Sequence, residues 1–215
     1  MLALNFEVPA GSTVLCLGAH CDDIELGCGG TLHELSRRHP TLHFAWSVFS
    51  ADAPREQETR QAASRLLPVP LNLDVEVYNF SASYFPARWS DIKSQLELIK
   101  QRPAPALIFT HYLHDRHQDH RLIAELTWNT FRDHCILEYE IAKYEGDLGH
   151  PALFMPLESS TVELKLRTIA ECFPSQRDRT WFDPELFRGQ LRMRGLECNA
   201  PSGYAEAFHA RKLRL

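Results

Sequence analysis

Short apolar runs alternate with amphipathic stretches over the first two thirds of the chain, and this alternation is the feature that most limits the fold. The short runs are predicted as buried strands, and the stretches with apolar residues three or four apart as helices. Because each strand precedes a helix, the order is typical of an α/β fold with a mostly parallel sheet and right-handed crossovers. The predicted strands are residues 13–17, 42–49, 74–80, 106–110 and 136–141, and the predicted helices are residues 24–39, 55–67, 92–100 and 119–133.

The chain changes its pattern after about residue 150. Residues 162–172 and 184–195 are predicted helices, and no further strand is predicted. No linker rich in Gly, Ser or Pro separates this part, and 215 residues suit one well-filled core. We therefore expect residues 1–215 to form a single domain, a Rossmann-like three-layer sandwich with its ligand site at the carboxyl ends of the strands.

Composition narrows the class of protein. Hydrophobic residues make up 44% and charged residues 24%, which is ordinary for a globular protein, and a net charge of −5 argues against a nucleic-acid partner. No apolar run is long enough for a membrane span. The six cysteines are scattered with no CxxC pair, and no secretory leader is evident, so we expect a cytoplasmic protein with reduced thiols. A homo-oligomer remains open.

The segment AHCDDIELGCGGTL, residues 19–32, places an imidazole and two carboxylates directly after the first predicted strand. A divalent metal accepts imidazole nitrogen and carboxylate oxygen, and His20 and Asp23 could reach one ion from the same turn. Asp22 would then face the open side of the ion as a base. The alternative is a helix cap, which would explain one aspartate but not two with a histidine before them.

The glycines that follow, Gly27, Gly29 and Gly30, predict a helix that packs closely and leaves the site roomy. They do not form the GxGxxG dinucleotide fingerprint, because they follow the acidic residues instead of preceding them.

A second cluster, THYLHDRHQDHR at residues 110–121, follows the fourth predicted strand. His117 and His120 are three residues apart, so a helical turn would place them on one side. His120 could complete a three-ligand site with His20 and Asp23, which is the open geometry of a catalytic zinc. His117 would lie near the open position as an acid or an electrostatic stabiliser.

The other polar residues of this cluster are expected either to orient a histidine or to lie in a solvated loop. Asp115 or Asp119 is expected to hydrogen-bond an imidazole and hold its tautomer. For His111 and His114, a solvated polar loop is the favoured interpretation. The other histidines are expected to be surface or packing residues: His33, His39, His43, His134, His150 and His209.

These two blocks resemble the LmbE-like (PIG-L) family of zinc-dependent N-acetylglucosaminyl deacetylases. The family's AHPDD block is similar to AHCDDIELGCGGT, and its HPDH block to HQDH. Weaker similarities lie in REQETRQAA, FPSQ and SGYAEAF. Cys21 and Gln118 stand where the family usually has proline, but both positions are spacers. Cys21 is not expected to be a metal ligand, because adjacent side chains on an extended turn point apart.

The resemblance implies a zinc ion, with Fe²⁺ as an alternative metal, held by His20, Asp23 and His120. It also implies that Asp22 is the general base.

It further implies that His117 is a cationic group that stabilises the oxyanion and protonates the amine, with Asp119 in support. Arg55 would line the substrate pocket, or else be a solvated helix residue.

The implied reaction is hydrolysis of the acetamido group of an N-acetylglucosamine-type sugar or conjugate to a free amine and acetate. One alternative is a metal-dependent amidase for a thiol conjugate or a longer acyl chain. Another is a non-catalytic sugar- or nucleotide-binding protein. The aromatic residues Phe80, Tyr84, Phe85 and Trp89 would either stack on a sugar or pack onto the core.

Overall fold

Seven strands form one mostly parallel sheet in the computed structural model, which describes residues 8–67 and 72–213. The strands are β1 (Thr13–Gly18), β2 (His43–Val48), β3 (Leu73–Val77), β4 (Leu107–His111), β5 (Cys135–Tyr139), β6 (Leu153–Pro156) and β7 (Ala205–Ala210). Their order in the sheet is β3-β2-β1-β4-β5-β7-β6. Strands β1 to β5 pair in parallel, and β7 runs antiparallel to both β5 and β6.

Helices cover both faces of the sheet, as the sequence predicts. Their bounds are α1 (Asp23–Arg38), α2 (Ala53–Leu66), α3 (Trp89–Lys100), α4 (Gln118–Thr130), α5 (Ser159–Cys172) and α6 (Pro184–Glu197). Helices α1, α2, α5 and α6 pack on one face, and α3 and α4 on the other. Strand β1 serves both cores, since Val14 and Cys16 point to one face and Leu15 and Leu17 to the other.

The predicted helices, and the strands predicted in the first two thirds of the chain, are all present, with ends that differ by at most three residues. Two strands after residue 150, β6 and β7, are not predicted from the sequence. Strand β6 is a short, partly exposed edge strand that ends in Pro156, and β7 (AEAFHA) is poor in β-branched residues. β7 pairs with β5 and β6 pairs with β7, and this pairing, not local propensity, makes them strands.

Two sequence expectations concern segments outside the described residues. Pro68 and Pro70, which directly follow the predicted helix at residues 55–67, lie in one of them, and residues 1–7, where no secretory leader is expected, lie in the other. In the part that is described, no helix is long and apolar enough to cross a membrane.

Helix α1 lies unusually close to the sheet because two of its glycines carry no side chain. A Cβ atom at Gly27 would lie 2.1 Å from Cδ2 of Tyr139 on β5, and one at Gly30 would lie 2.6 Å from Cδ1 of Leu157. The close packing that the sequence predicts for these glycines is therefore confirmed. Gly27 and Gly30 therefore lie on the side of α1 that faces the sheet.

A buried ion pair also holds α1 in place. The Lys165 Nζ atom on α5 lies 2.6 Å from Oε1 of Glu206 on β7, and both side chains are 2% exposed. Glu206 accepts from the backbone N–H groups of Gly30 and Thr31 at 2.8 and 2.7 Å. Lys165 donates to the Leu26 carbonyl oxygen at 2.7 Å. The glutamate of the late SGYAEAF segment thus anchors the middle of α1 to the antiparallel edge of the sheet.

We expect Gly27→Ala to lower the free energy of unfolding by about 1–3 kcal/mol, because the added methyl group overpacks against the Tyr139 ring. Gly189→Ala is the matched control, because Gly189 is an exposed glycine of α6 with open space at its Cβ position. Replacing that glycine should stabilise the protein by up to about 1 kcal/mol through helix propensity. Urea unfolding of both variants measures the difference, and equal effects would contradict the close approach of α1.

Candidate metal centre

The two polar clusters meet where β1 and β4 lie side by side. Strand β1 ends at Gly18 and α1 begins at Asp23, while β4 ends at His111 and α4 begins at Gln118. The chain proceeds from β1 to β2 on one side and later crosses to β4 on the other. This is a topological switch point, where ligands bind in open α/β sheets.

His20, Asp23 and His120 form a donor triangle that is closed by the two oxygens of Asp23, with Oδ2 towards His20 and Oδ1 towards His120. The Nδ1 atom of His20 lies 3.2 Å from Nε2 of His120 and 3.6 Å from Oδ2 of Asp23. Nε2 of His120 lies 3.5 Å from Oδ1 of Asp23. Ligand atoms at about 2.1 Å from a tetrahedral zinc ion lie about 3.4 Å from one another. The donor set and its spacing therefore fit a zinc ion.

The second ring nitrogen of each histidine contacts a carboxylate. His20 Nε2 donates to Asp119 Oδ2 at 3.0 Å, and His120 Nδ1 donates to Asp115 Oδ2 at 3.0 Å. These bonds orient both rings and leave the opposite nitrogens to face each other. The sequence predicts such a contact for one of these aspartates, and the structure has it for both.

Asp22 lies beside the triangle with one oxygen free. It is 3% exposed and occupies the N-cap position of α1, but its side chain makes no capping hydrogen bond. Oδ1 lies 3.4 Å from Nη2 of Arg55, and Oδ2 is buried without a partner. Burial raises the pKa of Asp22 to about 6, against the opposing charge of Arg55. The helix-cap alternative therefore does not account for this side chain.

Arg55 faces the site from the first turn of α2. Its backbone N–H donates to Oδ1 of Asp52, which caps the helix, and its guanidinium contacts Asp22. One turn later Glu58 accepts from the backbone N–H and the hydroxyl of Ser175, at 2.9 and 2.6 Å. The Arg55 side chain is 23% exposed, so it lines the site instead of extending into solvent.

His117 is the N-cap of α4 and stacks on the ring of His120, with centroids 4.4 Å apart. Its Nδ1 atom accepts from the backbone N–H of Asp119 at 3.3 Å, which leaves Nε2 to carry a proton. Burial lowers the pKa of His117, and the nearby charge of His20 lowers it further. The lowered pKa favours the neutral ring over the cationic one that the family resemblance implies, and the neutral ring can still donate a hydrogen bond from Nε2.

The interpretation of His111 as a solvated loop residue is wrong. His111 is 0% exposed, because β4 continues one residue beyond the predicted end. Its Nε2 atom accepts from the backbone N–H of Ala19 at 2.9 Å and lies 3.2 Å from Asp23 Oδ2. His114 is exposed, as predicted.

Lys143 also reaches the site, although it lies outside both sequence clusters. Its Nζ atom lies 2.9 Å from Oδ2 of Asp115. Lys143 comes from the irregular segment after β5, and no local pattern marks it.

Two overlapping groups of donors share His120. One joins it to His20 and His117, and the other joins it to Asp23 and His111, so the expected ligands His20 and Asp23 fall in different groups. Cys21 belongs to neither, since its thiol donates to the Ser50 carbonyl oxygen at 3.4 Å. This supports the interpretation of Cys21 as a spacer.

Asp119 also fixes the segment that covers the site. Its Oδ2 and Oδ1 atoms accept from the backbone N–H groups of Ser83 and Phe85, at 2.5 and 3.1 Å. Phe85 is fully buried and contacts Phe80, which is partly buried. Tyr84 is 67% exposed, and Trp89 is 45% exposed. The structure thus divides the four aromatic residues into two that pack and two that are open to a ligand.

The fold and the site together define an α/β protein with a candidate metal centre at the carboxyl edge of its sheet. The chain belongs to the PIG-L family, because the family model described as "GlcNAc-PI de-N-acetylase" matches residues 15–131. The matched region includes both histidine and aspartate clusters. The family resemblance found in the sequence is therefore confirmed.

A relative in Escherichia coli K12, named uncharacterized deacetylase YaiS, is 30% identical over 119 residues, which cover 50% of this chain and 61% of the relative. Among solved structures, the hydratase GalB of Pseudomonas putida KT2440 has a TM-score of 0.75 at 17% identity, over 95% of this chain and 98% of that one. The N,N'-diacetylchitobiose deacetylase of Pyrococcus horikoshii has a TM-score of 0.67 at 20% identity, over 93% and 84%. At these identities the solved structures establish the fold alone.

We expect Cys21 to resist alkylation by iodoacetamide in the folded protein and to react after unfolding. The thiol is fully buried, and burial raises its pKa to about 12. Cys198, which is partly exposed, provides the internal comparison and should react first. Mass spectrometry of the modified peptides over time measures both rates, and early labelling of Cys21 would contradict its placement.

Proposed function

We propose that this protein is a zinc-dependent de-N-acetylase that converts the acetamido group of an N-acetylglucosamine-type sugar or conjugate to an amine and acetate. The observation that carries the proposal is the donor triangle with the partner-free Oδ2 atom of Asp22 beside it. Family membership supports the reaction class. The deacetylase from Pyrococcus horikoshii, which acts on an acetylated sugar, supports the substrate class.

His20, Asp23 and His120 would hold the metal ion, zinc or alternatively Fe²⁺. A bound zinc ion would polarise the amide carbonyl and lower the pKa of its water molecule towards about 7. Each imidazole would bind through the nitrogen that its carboxylate partner leaves free.

Asp22 takes the proton of the attacking water. Arg55 holds Oδ1, so the free Oδ2 atom is the one available to accept the proton. Arg55 also favours the ionised carboxylate, which a base must be.

His117 would donate a hydrogen bond from Nε2 to the oxyanion, and the proton that Asp22 has taken from the water would pass to the amine nitrogen. Its Nδ1 atom is engaged by the backbone of α4, which fixes the ring. Loss of one donor of this kind can cost about 3–4 kcal/mol in the transition state. Asp119 supports the site by orienting His20 and the covering segment.

We expect Asp22→Asn to lower kcat by about 10²–10⁴-fold, because an amide cannot accept the proton. The variant should keep its zinc, since Asp22 is not in the donor triangle. His120→Ala is the matched comparison and should lose zinc as well as activity. Amine release from N-acetylglucosamine and N,N'-diacetylchitobiose gives the rates, and elemental analysis gives the metal content.

A normal rate in Asp22→Asn would remove the base assignment. Amine release only from longer acyl amides or thiol-conjugate amides would favour the amidase alternative. No amine from any amide with zinc-loaded protein would overturn the proposal.

We expect Tyr84→Ala to raise KM for N,N'-diacetylchitobiose about 5-fold with little change in kcat. Tyr84 lies between Ser83 and Phe85, whose backbone N–H groups donate to Asp119, and a sugar face stacked on its exposed ring would gain about 1 kcal/mol. The matched control is Tyr144→Ala, since Tyr144 is 71% exposed and bonds Thr180. An unchanged KM in Tyr84→Ala would place the sugar elsewhere.

A further inference from the structure

Lys143 is a buried cation held between two carboxylates behind the candidate metal centre. Its side chain is 9% exposed. The Nζ atom lies 2.9 Å from Oδ2 of Asp115, and 2.6 and 2.8 Å from the two oxygens of Asp147. Lys143 and Asp147 both belong to the irregular segment between β5 and β6, whereas Asp115 belongs to the segment between β4 and α4.

Asp115 contacts His117 of the same segment and His120 in the first turn of α4. Its Oδ1 atom accepts from the backbone N–H of His117 at 2.8 Å, and its Oδ2 atom accepts from Nδ1 of His120 at 3.0 Å. The carboxylate is 3% exposed, so it needs a buried cation nearby. Lys143 supplies that charge on the same oxygen that orients His120.

Asp147 completes the attachment from the other side. Its Oδ2 atom accepts from the backbone N–H of Arg116 at 2.6 Å. The segment that contains residues 115–117 is therefore held at the Asp115 side chain and at the Arg116 backbone, and Lys143 joins the two points.

We propose that Lys143 is a positioning residue of the metal centre. Through Asp115 it holds the His120 ring with Nδ1–H donated to the carboxylate and Nε2 turned towards His20 and Asp23. The inference rests on the proposed function only in requiring a metal ion at this centre. It holds for any reaction performed there.

The test is a double-mutant cycle read by zinc affinity on the full chain. We expect Lys143→Met to weaken Zn²⁺ binding about 10–100-fold, as measured by competition with a chelator. Asp115→Asn should weaken it to a similar degree. The double variant should bind no more weakly than Asp115→Asn within about 2-fold, because Lys143 acts through Asp115. Lys93→Met, which removes a lysine paired with Glu97 on α3, is the control and should bind zinc normally.

A second variant guards against simple unfolding. Lys143→Met leaves Asp147 without its cation. The double variant Lys143→Met/Asp147→Asn removes one charge of each sign and so keeps the net charge of the cluster. It should still bind zinc more weakly than the wild-type protein. In Co²⁺-loaded protein the visible absorption spectrum should also change, since it reports on the geometry of the ligands.

Normal zinc affinity in both Lys143 variants would overturn the inference while the proposed function stands. The inference would also be overturned if Lys143→Met lowered the zinc affinity as much in the Asp115→Asn variant as in the wild-type protein. Lys143 would then act by a route other than Asp115. A wild-type protein that binds no Zn²⁺ would overturn the proposed function, and the inference with it.

Discussion

The close approach of α1 to the sheet is the constraint on which the rest of the site depends. Gly27 allows the helix to lie against Tyr139, and Glu206 holds the backbone of Gly30 and Thr31. The Tyr139 hydroxyl donates to the Leu17 carbonyl oxygen at 2.7 Å, so the same region fixes the end of β1. Because the turn between β1 and α1 carries the first cluster, its position relative to β4 follows from this packing.

Carboxylates organise the site at the next level. Asp119 joins the His20 ring to the backbone of the covering segment, and Asp115 joins the His120 ring to the backbone of His117. Burial lowers the pKa of His120 to about 3, which favours the neutral imidazole that the proposed metal site requires. Each buried charge of this network has a partner of opposite charge or a hydrogen-bond donor, so the rings have little freedom to turn.

The fold does not choose the reaction. Strand order and layer arrangement are shared with a hydratase as well as with a deacetylase. In the proposed reaction the chemistry would depend on particular groups, above all on the free oxygen of Asp22 and on the Nε2 atom of His117. These groups are positioned by short local segments, the turn before α1 and the turn before α4.

The sequence by itself determined the parallel part of the sheet, the helices and the two clusters, because each depends on periodicity or spacing within a few residues. His20, Asp22, Asp23, His117 and His120 could be found in this way. The tertiary structure alone decided that β6 and β7 form strands, that His111 is buried and that Lys143 reaches Asp115. Those outcomes depend on contacts between segments far apart in the chain, and the energy of such contacts comes from burial and charge pairing that no local pattern records.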